Sequence, residues 1–333
     1  MQIQKLKKLI SKILLKYNLN KKDVEICTKA LINAELVGAP SHGVSRLKMY
    51  CERIDKKVIN PKPKIKIKRV SNSVSFIDAD NSIGFVAADK GIKETIKIAK
   101  KTGIAFVGIK NSGHYGLSGY YIEQAVKKNL LAFAFTNAPP AIAPHGGKKT
   151  IFGTNPICFG SPTNNNIPFI LDTSMSMINR GKIRVAAKLN KSIPKGVALD
   201  KFGNQTTNAK EALSGVQLPI GGFRGSGLAW MVDILTGVFI GSAHSGKVRD
   251  PFDDFGGPQN IGHLFIAFKN NLFVKNYKQQ IKVNINRIKN IPKIKGEKIY
   301  YPGERKFFRK KINSKRTIKI PSSIKKDLDN LLF

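Results

Sequence analysis

An α/β fold with helices ahead of it is predicted by two rhythms in the sequence. The first 60 residues carry apolar positions at helical spacing. After residue 68, short apolar runs alternate with longer amphipathic ones, as strands do when they are interleaved with helices. The chain has 333 residues and 41% hydrophobic content, so it is long enough for two domains and can bury a sizeable core.

The elements follow in order. Ile3, Leu6, Ile10, Ile13 and Leu14 place a helix over 2–16. Asn20 offers a side-chain cap to a second helix, with Asp23 near its positive end. Val24, Cys27, Leu31, Ala34 and Glu35 continue that helix until Gly38 stops it. The stretch AELVGAPSHGVSRL reads as a loop into a short helix over 47–54, and Pro61 and Pro63 break the pattern at a domain boundary. VSFIDAD, GIAFVGI, LLAFAFTN, ICFGSP, PFILDTS and HLFIAF read as strands. FVAADKGIKETIKIAKKTG and 120–127 read as helices, and SGLAWMVDILTGVFIG as a buried helix. The tail over 273–333 is basic and mostly helical or extended.

Charge and cysteine content narrow the function classes. Lysine and arginine number 58 against 21 aspartates and glutamates, a formal net charge of +37. Such a balance raises a nucleic-acid partner. The lysines are spread along the chain, however, and no helix-turn-helix, zinc finger or aromatic RNA-binding motif accompanies them. A compositionally basic surface, with no specific nucleic-acid partner, is the favoured reading. Cys27, Cys51 and Cys158 are too few and too irregular for a disulfide framework, and no Cys/His cluster marks a metal site. A reducing, cytoplasmic location is expected. The apolar stretch over 225–241 carries Asp233 and falls short of the ~20 residues a membrane crossing needs, so no membrane partner is expected. The N-terminal segment reads as an amphipathic helix and not as a signal peptide.

Five histidines are the candidates for proton chemistry near neutral pH. His42 in SHG and His114 in NSGHYG stand on loops beside glycine, where a rigid scaffold can present a side chain to a cleft. His145, His244 and His263 rank lower, and His263 opens a strand as a structural residue would. Arg46, four residues after His42, shares its face if the segment is helical, and a guanidinium there could grip a carboxylate. Glycines spaced by three in NSGHYGLSG, and the GGFRGSG turn with Arg224, suit either an anion or a tight turn into a packed helix. Neither a GxGxxG dinucleotide fingerprint after a first strand nor a P-loop is present.

Taken together, AELVGAPSHGVSRL, GIAFVGIKNSGHYGLSGYY, TNAPPAIAPHGGKKTIFGTNP, LDTSMSMINRGKI, IPKGVALDKFGNQTTN, LPIGGFRGSGLAWMVDILTGV, PQNIGHLFIAF and YYPGE resemble, in order and over nearly the whole chain, one family. It is the malate/L-lactate/L-sulfolactate dehydrogenases of the non-Rossmann type, with ureidoglycolate dehydrogenase and 2,3-diketo-L-gulonate reductase among them. The resemblance implies a non-Rossmann NAD(P)-binding α/β domain with a mixed sheet, beside a helical domain formed from both chain ends. The corresponding division is 1–65 for the N-terminal helical part, 66–245 for the α/β domain, and 246–333 for a segment returning to the helical domain. It also implies a homodimer and hydride transfer between NAD or NADP and a small 2-oxo or 2-hydroxy acid. A cyclic imine-2-carboxylate is an alternative substrate.

Residue by residue, His42 and His114 match the histidines that serve as the acid/base group in different branches, and Arg46 matches the arginine that holds the substrate carboxylate. Asp172, Thr173 and Ser174 match a strand-end segment that touches the cofactor, and Pro302, Gly303 and Glu304 match a late cofactor loop. Arg224 stands where the family usually has lysine. Ala138 stands where some relatives have a cofactor-contacting serine, leaving backbone contact alone. No metal is implied.

Overall fold

The computed structural model describes residues 1–332. Its centre is a seven-stranded mixed sheet of order β1-β2-β3-β9-β4-β5-β6. The strands are β1 (Lys66–Arg69), β2 (Val74–Asp78), β3 (Ile104–Ser112), β4 (Leu130–Thr136), β5 (Ile157–Ser161), β6 (Phe169–Thr173) and β9 (Ile261–Lys269). Only β2 and β3 run parallel; the other neighbours are antiparallel. The interior strands are the most apolar, and Ala105, Val107, Ile109, Leu264 and Phe265 are fully buried.

One face of the sheet is covered by α4 (Gly84–Thr102) and α5 (Ser118–Val126), through Ala88, Ile92, Tyr121 and Ile122. The other is covered by α8 (Phe223–Asp233) and the π-helical turn Ile234–Val238 that continues it, through Val232, with Ile240 just beyond. Here the structure corrects the sequence reading of a buried helix. Only one side of this segment packs on the sheet, and Phe223, Trp230 and Phe239 are 74%, 58% and 67% exposed.

A second core joins the chain ends. Leu6, Ile10 and Ile13 of α1 (Ile3–Lys16) meet Leu31 of α2 (Lys21–Leu36), Tyr50 of α3 (Leu47–Asp55) and Leu328 of α11 (Ser322–Leu332). Met1 and Ile318 exchange hydrogen bonds: the terminal ammonium donates to the Ile318 carbonyl at 2.6 Å, and the Ile318 N–H donates to the Met1 carbonyl at 2.8 Å. The predicted Asn20 cap is present, accepting from the Asp23 N–H at 3.0 Å. This fixes the start of α2 at little entropic cost.

A division at residue 245 does not describe the sheet. β9 lies beyond it, yet hydrogen-bonds to β3 on one side and β4 on the other. An apolar strand with neither face exposed can satisfy its backbone only inside a sheet. Nor does all of 246–333 return to the terminal helices. The Tyr277 hydroxyl at the start of α9 (Tyr277–Lys289) bonds Ser161 of β5 at 2.6 Å, and of the helices in this segment α10 (Glu304–Asn313) and α11 pack against α1–α3, together with the 250–257 loop held by Arg53. Two short helices, α6 (Arg180–Lys188) and α7 (Ala209–Ser214), and a β7–β8 pair (Ala198–Leu199, Val216–Gln217) form a separate small cluster around Ile183 and Ala198.

Candidate active site

The loop between α2 and α3 does not form the single helical face assumed for His42 and Arg46. Two 3-10 turns, Pro40–His42 and Val44–Arg46, are broken at Gly43. The break has a cause. The Glu35 carboxylate is buried and accepts the Val44 N–H at 2.8 Å, and a Cβ on residue 43 would stand 2.1 Å from that carboxylate. Only glycine lets the loop close over it. The fold still brings the pair together. Arg46 Nε donates to the Ser41 carbonyl at 2.7 Å, which turns the guanidinium back toward the SHG segment.

His114 arrives from the end of β3. Its loop rests on the first turn of α4, where a Cβ on Gly84 would lie 2.1 Å from the Gly113 carbonyl and 2.4 Å from that of His114. The His114 N–H donates to Gln259 Oε1 at 3.2 Å, and its Nδ1 shares a 2.6 Å hydrogen bond with the hydroxyl of Tyr50, which is fully buried on α3. The imidazoles of His42 and His114 lie 5.8 Å apart, centroid to centroid. His42 Nδ1 bonds Ser41 Oγ at 3.0 Å. Each ring therefore has one nitrogen held, and among the described residues neither Nε2 has a hydrogen-bond partner.

The electrostatics agree with this placement. Burial, reinforced by the Arg46 cation, holds His42 down at about 4. Burial, Arg46 and His42 hold His114 well below its ordinary value. Both rings are neutral at pH 7, the form that accepts a proton from a hydroxyl. Burial also raises the Tyr50 hydroxyl, which stays a phenol.

A cleft is lined by Gly119, Tyr120, Asp172, Gly303, Lys306 and Lys310, among others. Asp172 and Lys306 act on His42 from that side. They lie 3.6 Å from each other, and Asp172 also accepts the Gly119 N–H at 3.1 Å. That amide is thus already used, a point against the anion cradle considered for NSGHYGLSG. Gly303 lines the cleft, and beside it the Pro302 carbonyl accepts the N–H of Ile170, another lining residue, at 2.9 Å. A larger cleft continues from the first through Glu123, Pro168, Phe307 and Lys310 and adds Lys127, Lys278 and Lys311.

Other residues singled out in the sequence stand apart from this cleft. The Glu304 carboxylate is buried and occupied by Lys289 and the Tyr301 N–H. The Ala138 N–H is donated to Asn155 at 3.1 Å. Arg224 is exposed on the first turn of α8 and lines neither cleft. The glycine after it is a packing device, since a Cβ on Gly225 would lie 1.9 Å from the Ile220 carbonyl. Thr173 and Ser174 follow Asp172 at the β6 end, where Ser174 Oγ bonds Ser176 Oγ at 3.2 Å.

Sequence reasoning missed Tyr50, Arg180, Arg184 and Phe252. The Phe252 ring lies 4.8 Å from the guanidinium carbons of both Arg46 and Arg184. The available signal was RGKIR after Asn179, an i, i+4 arginine pair behind a helix cap.

A family model described as malate/L-lactate dehydrogenase matches residues 1–329. The malate/(S)-sulfolactate dehydrogenase of Methanothermus fervidus is 34% identical over 328 residues, covering 97% of this chain and 94% of that protein. The (2R)-3-sulfolactate dehydrogenase (NADP(+)) of Chromohalobacter salexigens is 37% identical over 261 residues, 78% of each. The solved sulfolactate dehydrogenase of Methanocaldococcus jannaschii aligns with a TM-score of 0.93 at 34% identity, over 99% of this chain and 96% of that one. The fold described above is thus shared with that solved enzyme over nearly the whole chain. The chain belongs to the malate/L-lactate dehydrogenase family.

Proposed function

We propose that the protein is an oxidoreductase that moves a hydride between NAD or NADP and C2 of a small 2-oxo or 2-hydroxy acid, with His114 as the proton shuttle. The observation that carries this reading is the His114 imidazole, neutral and fixed at Nδ1 by a buried tyrosine, with Nε2 left over and Arg46 acting on it. A base oriented by a third group is the arrangement that proton transfer in a defined direction requires. In the oxidising direction His114 takes the proton of the 2-hydroxyl, and in reduction it returns one to the carbonyl oxygen. Arg46 holds the carboxylate; its anion, once bound, raises the basicity of both imidazoles.

The clefts fit a phosphate-bearing dinucleotide. Lys306 and Lys310 stand in the lining, paired with Asp172 and Glu123, polar groups that a ribose or phosphate can engage, and Gly303, with φ at +95°, leaves no side chain in the wall. Lys278 and Lys311, with no ion pair among the described residues, extend the positive lining. The nicotinamide ring supplies or accepts the hydride when bound. Relatives are named both for NAD(+) and for NADP(+), and either suits a lining of this charge. Pro302 backs Gly303 at the first cleft, while Ala138, Thr173, Ser174, Glu304 and Arg224 line neither cleft. The exposed apolar side of α8 and of the turn that continues it, with Trp230 and Phe239, is the surface on which a second copy would pack to make a homodimer.

The test is a panel of pyruvate, oxaloacetate and related 2-oxo acids with NADH and NADPH, followed by loss of absorbance at the nicotinamide band. Oxidation of at least one nucleotide is expected with an acid that carries a 2-carbonyl. No turnover with any pair overturns the reading.

A further inference from the structure

The end of the sheet opposite the histidines carries a feature of its own. β3 runs from Ile104 to Ser112 and on to His114, and β9 lies against it with Phe268 beside Ile104 and Ile261 beside Ser112. At the Ile104 end, the last turn of α4, the α5–β4 turn and the β9–α9 loop meet around a cleft of about 490 Å³. Five of the twelve residues that line it are lysines: Lys100, Lys128, Lys269, Lys275 and Lys278. Lysine and arginine together make up 58 of the 333 residues, so the cleft holds more than twice the share that composition alone would place there.

No counter-charge comes from the protein. Between Glu94 and Asp172 the only carboxylate side chain is Glu123, and between Asp254 and Glu297 there is none. Lys97 and Lys127 nearby are paired with Glu94 and Glu123, whereas the five lysines of the cleft have no ion pair among the described residues. Beside them the β9–α9 loop raises three consecutive apolar side chains. Leu272 and Val274 are half-exposed, and Phe273 is 96% exposed. Leu272 steadies the loop: a Cβ on Gly103, in the α4–β3 turn, would lie 3.0 Å from its Cδ2. An apolar run left in water beside unpaired cations is what an interaction surface presents.

We propose that this end of the molecule docks on the surface of an anionic lipid bilayer, with the Leu272–Val274 tip at the boundary between headgroups and acyl chains and the cleft lysines on lipid phosphates. Lysines are drawn to an anionic bilayer, and a few apolar side chains seated in the interface hold what the charge attracts. The combination selects the partner. A nucleic acid or a soluble polyphosphate engages lysines and leaves Phe273 in water. A second copy of the chain brings the same formal charge of +37. A protein groove would have to match the shape of three neighbouring side chains, whereas a fluid boundary receives them as they stand. The segment beyond the loop keeps the mixture, with Val283, Ile291 and Ile294 exposed among Lys282, Arg287 and Lys293. Among the described residues no helix is long and apolar enough to cross a membrane, and a surface contact does not require one. Docking here keeps His114 on the far side, at the other end of β3.

The test is sedimentation with vesicles of phosphatidylcholine alone and of phosphatidylcholine with phosphatidylglycerol, at about 0.15 M salt, where diffuse attraction is screened. The wild type should partition onto the anionic vesicles and stay off the neutral ones. Lys278 also lines the larger cleft described above and is left unaltered. Lys100→Gln combined with Lys128→Gln and Lys275→Gln should weaken partitioning by about 10²-fold. Phe273→Ser, which changes no charge, should weaken it by about 10-fold. Lys191→Gln combined with Lys195→Gln and Lys210→Gln removes the same charge from the α6–α7 cluster and should change partitioning by less than about 3-fold. In Phe273→Trp the new indole should emit further to the blue on anionic vesicles and be quenched by lipids brominated in their acyl chains. No partitioning onto anionic vesicles overturns the proposal. So does an equal loss in the two lysine triples, which makes the attraction a property of net charge, and so does a Phe273→Ser variant that binds as the wild type does. If the wild type prefers generic duplex DNA to anionic vesicles and needs the cleft lysines for it, the partner is nucleic acid and the proposal fails.

Discussion

His263 and His114 differ in one respect that decides what each can do. His263 is completely buried in β9. Its Nδ1 shares a hydrogen bond with Thr136 Oγ1 at 2.7 Å, its Nε2 with Ser112 Oγ at 2.8 Å, and its ring stacks on Tyr115 at 4.4 Å. His114 has one nitrogen held by Tyr50 and the other with no partner among the described residues. Burial lowers the affinity of both rings for protons, His263 to about 3. Depressed basicity therefore does not distinguish a working histidine from a structural one. The count of satisfied nitrogens does, because a ring with both ends bonded has nothing left to offer a substrate.

Substituting each histidine should separate the two roles. His114→Ala should lower kcat by about 10²-fold or more, with little change in thermal midpoint, as read by steady-state turnover and a circular-dichroism melt. His263→Ala should do the reverse. It removes the imidazole that bridges the Thr136 and Ser112 hydroxyls, leaves a cavity in the sheet and should cost about 2–4 kcal/mol in a denaturant melt, while the folded fraction keeps turnover within a few-fold. Similar behaviour of the two variants would erase the contrast.

Tyr50→Phe sharpens it further. The phenylalanine keeps the packing but releases His114 Nδ1, so kcat should fall by roughly 10-fold with KM nearly constant, and the acid limb of the kcat/KM profile should move. A variant with an unmoved profile would mean that Tyr50 only fills space.

The remaining effect is a shared one. His42, His114 and His263 bind protons more weakly folded than unfolded. Below pH 6.5 the unfolded chain takes up protons that the folded chain refuses, so stability is lost as pH falls from about 6.5 toward 4. Each histidine contributes a slope of up to about 1.4 kcal/mol per pH unit. Denaturant midpoints measured across that window should fall steadily, and more gently in His263→Ala.

The helices at the N-terminus, the Asn20 cap and all but the shortest strands were legible because their signals are local: apolar spacing, a capping side chain, alternation. The exposed edge strand β1 and the short helices α6 and α7 were not, since their apolar content is low. The insertion of β9 between β3 and β4 was also hidden, because strand order depends on pairing across more than a hundred residues of chain.

For the site, the sequence by itself determined which loops carry His42, His114 and Arg46, since glycine-flanked histidines on loops and the ordered motifs around them are written in the chain. Only the tertiary structure decided that the two imidazoles stand 5.8 Å apart, that Tyr50 holds one of them, and that α6 brings Arg184 to the ring shared with Arg46. The physical reason is distance along the chain. Residues separated by tens to hundreds of positions meet only because separate cores dock, and nothing in the local pattern around Tyr50 or Arg184 records what will be on the other side.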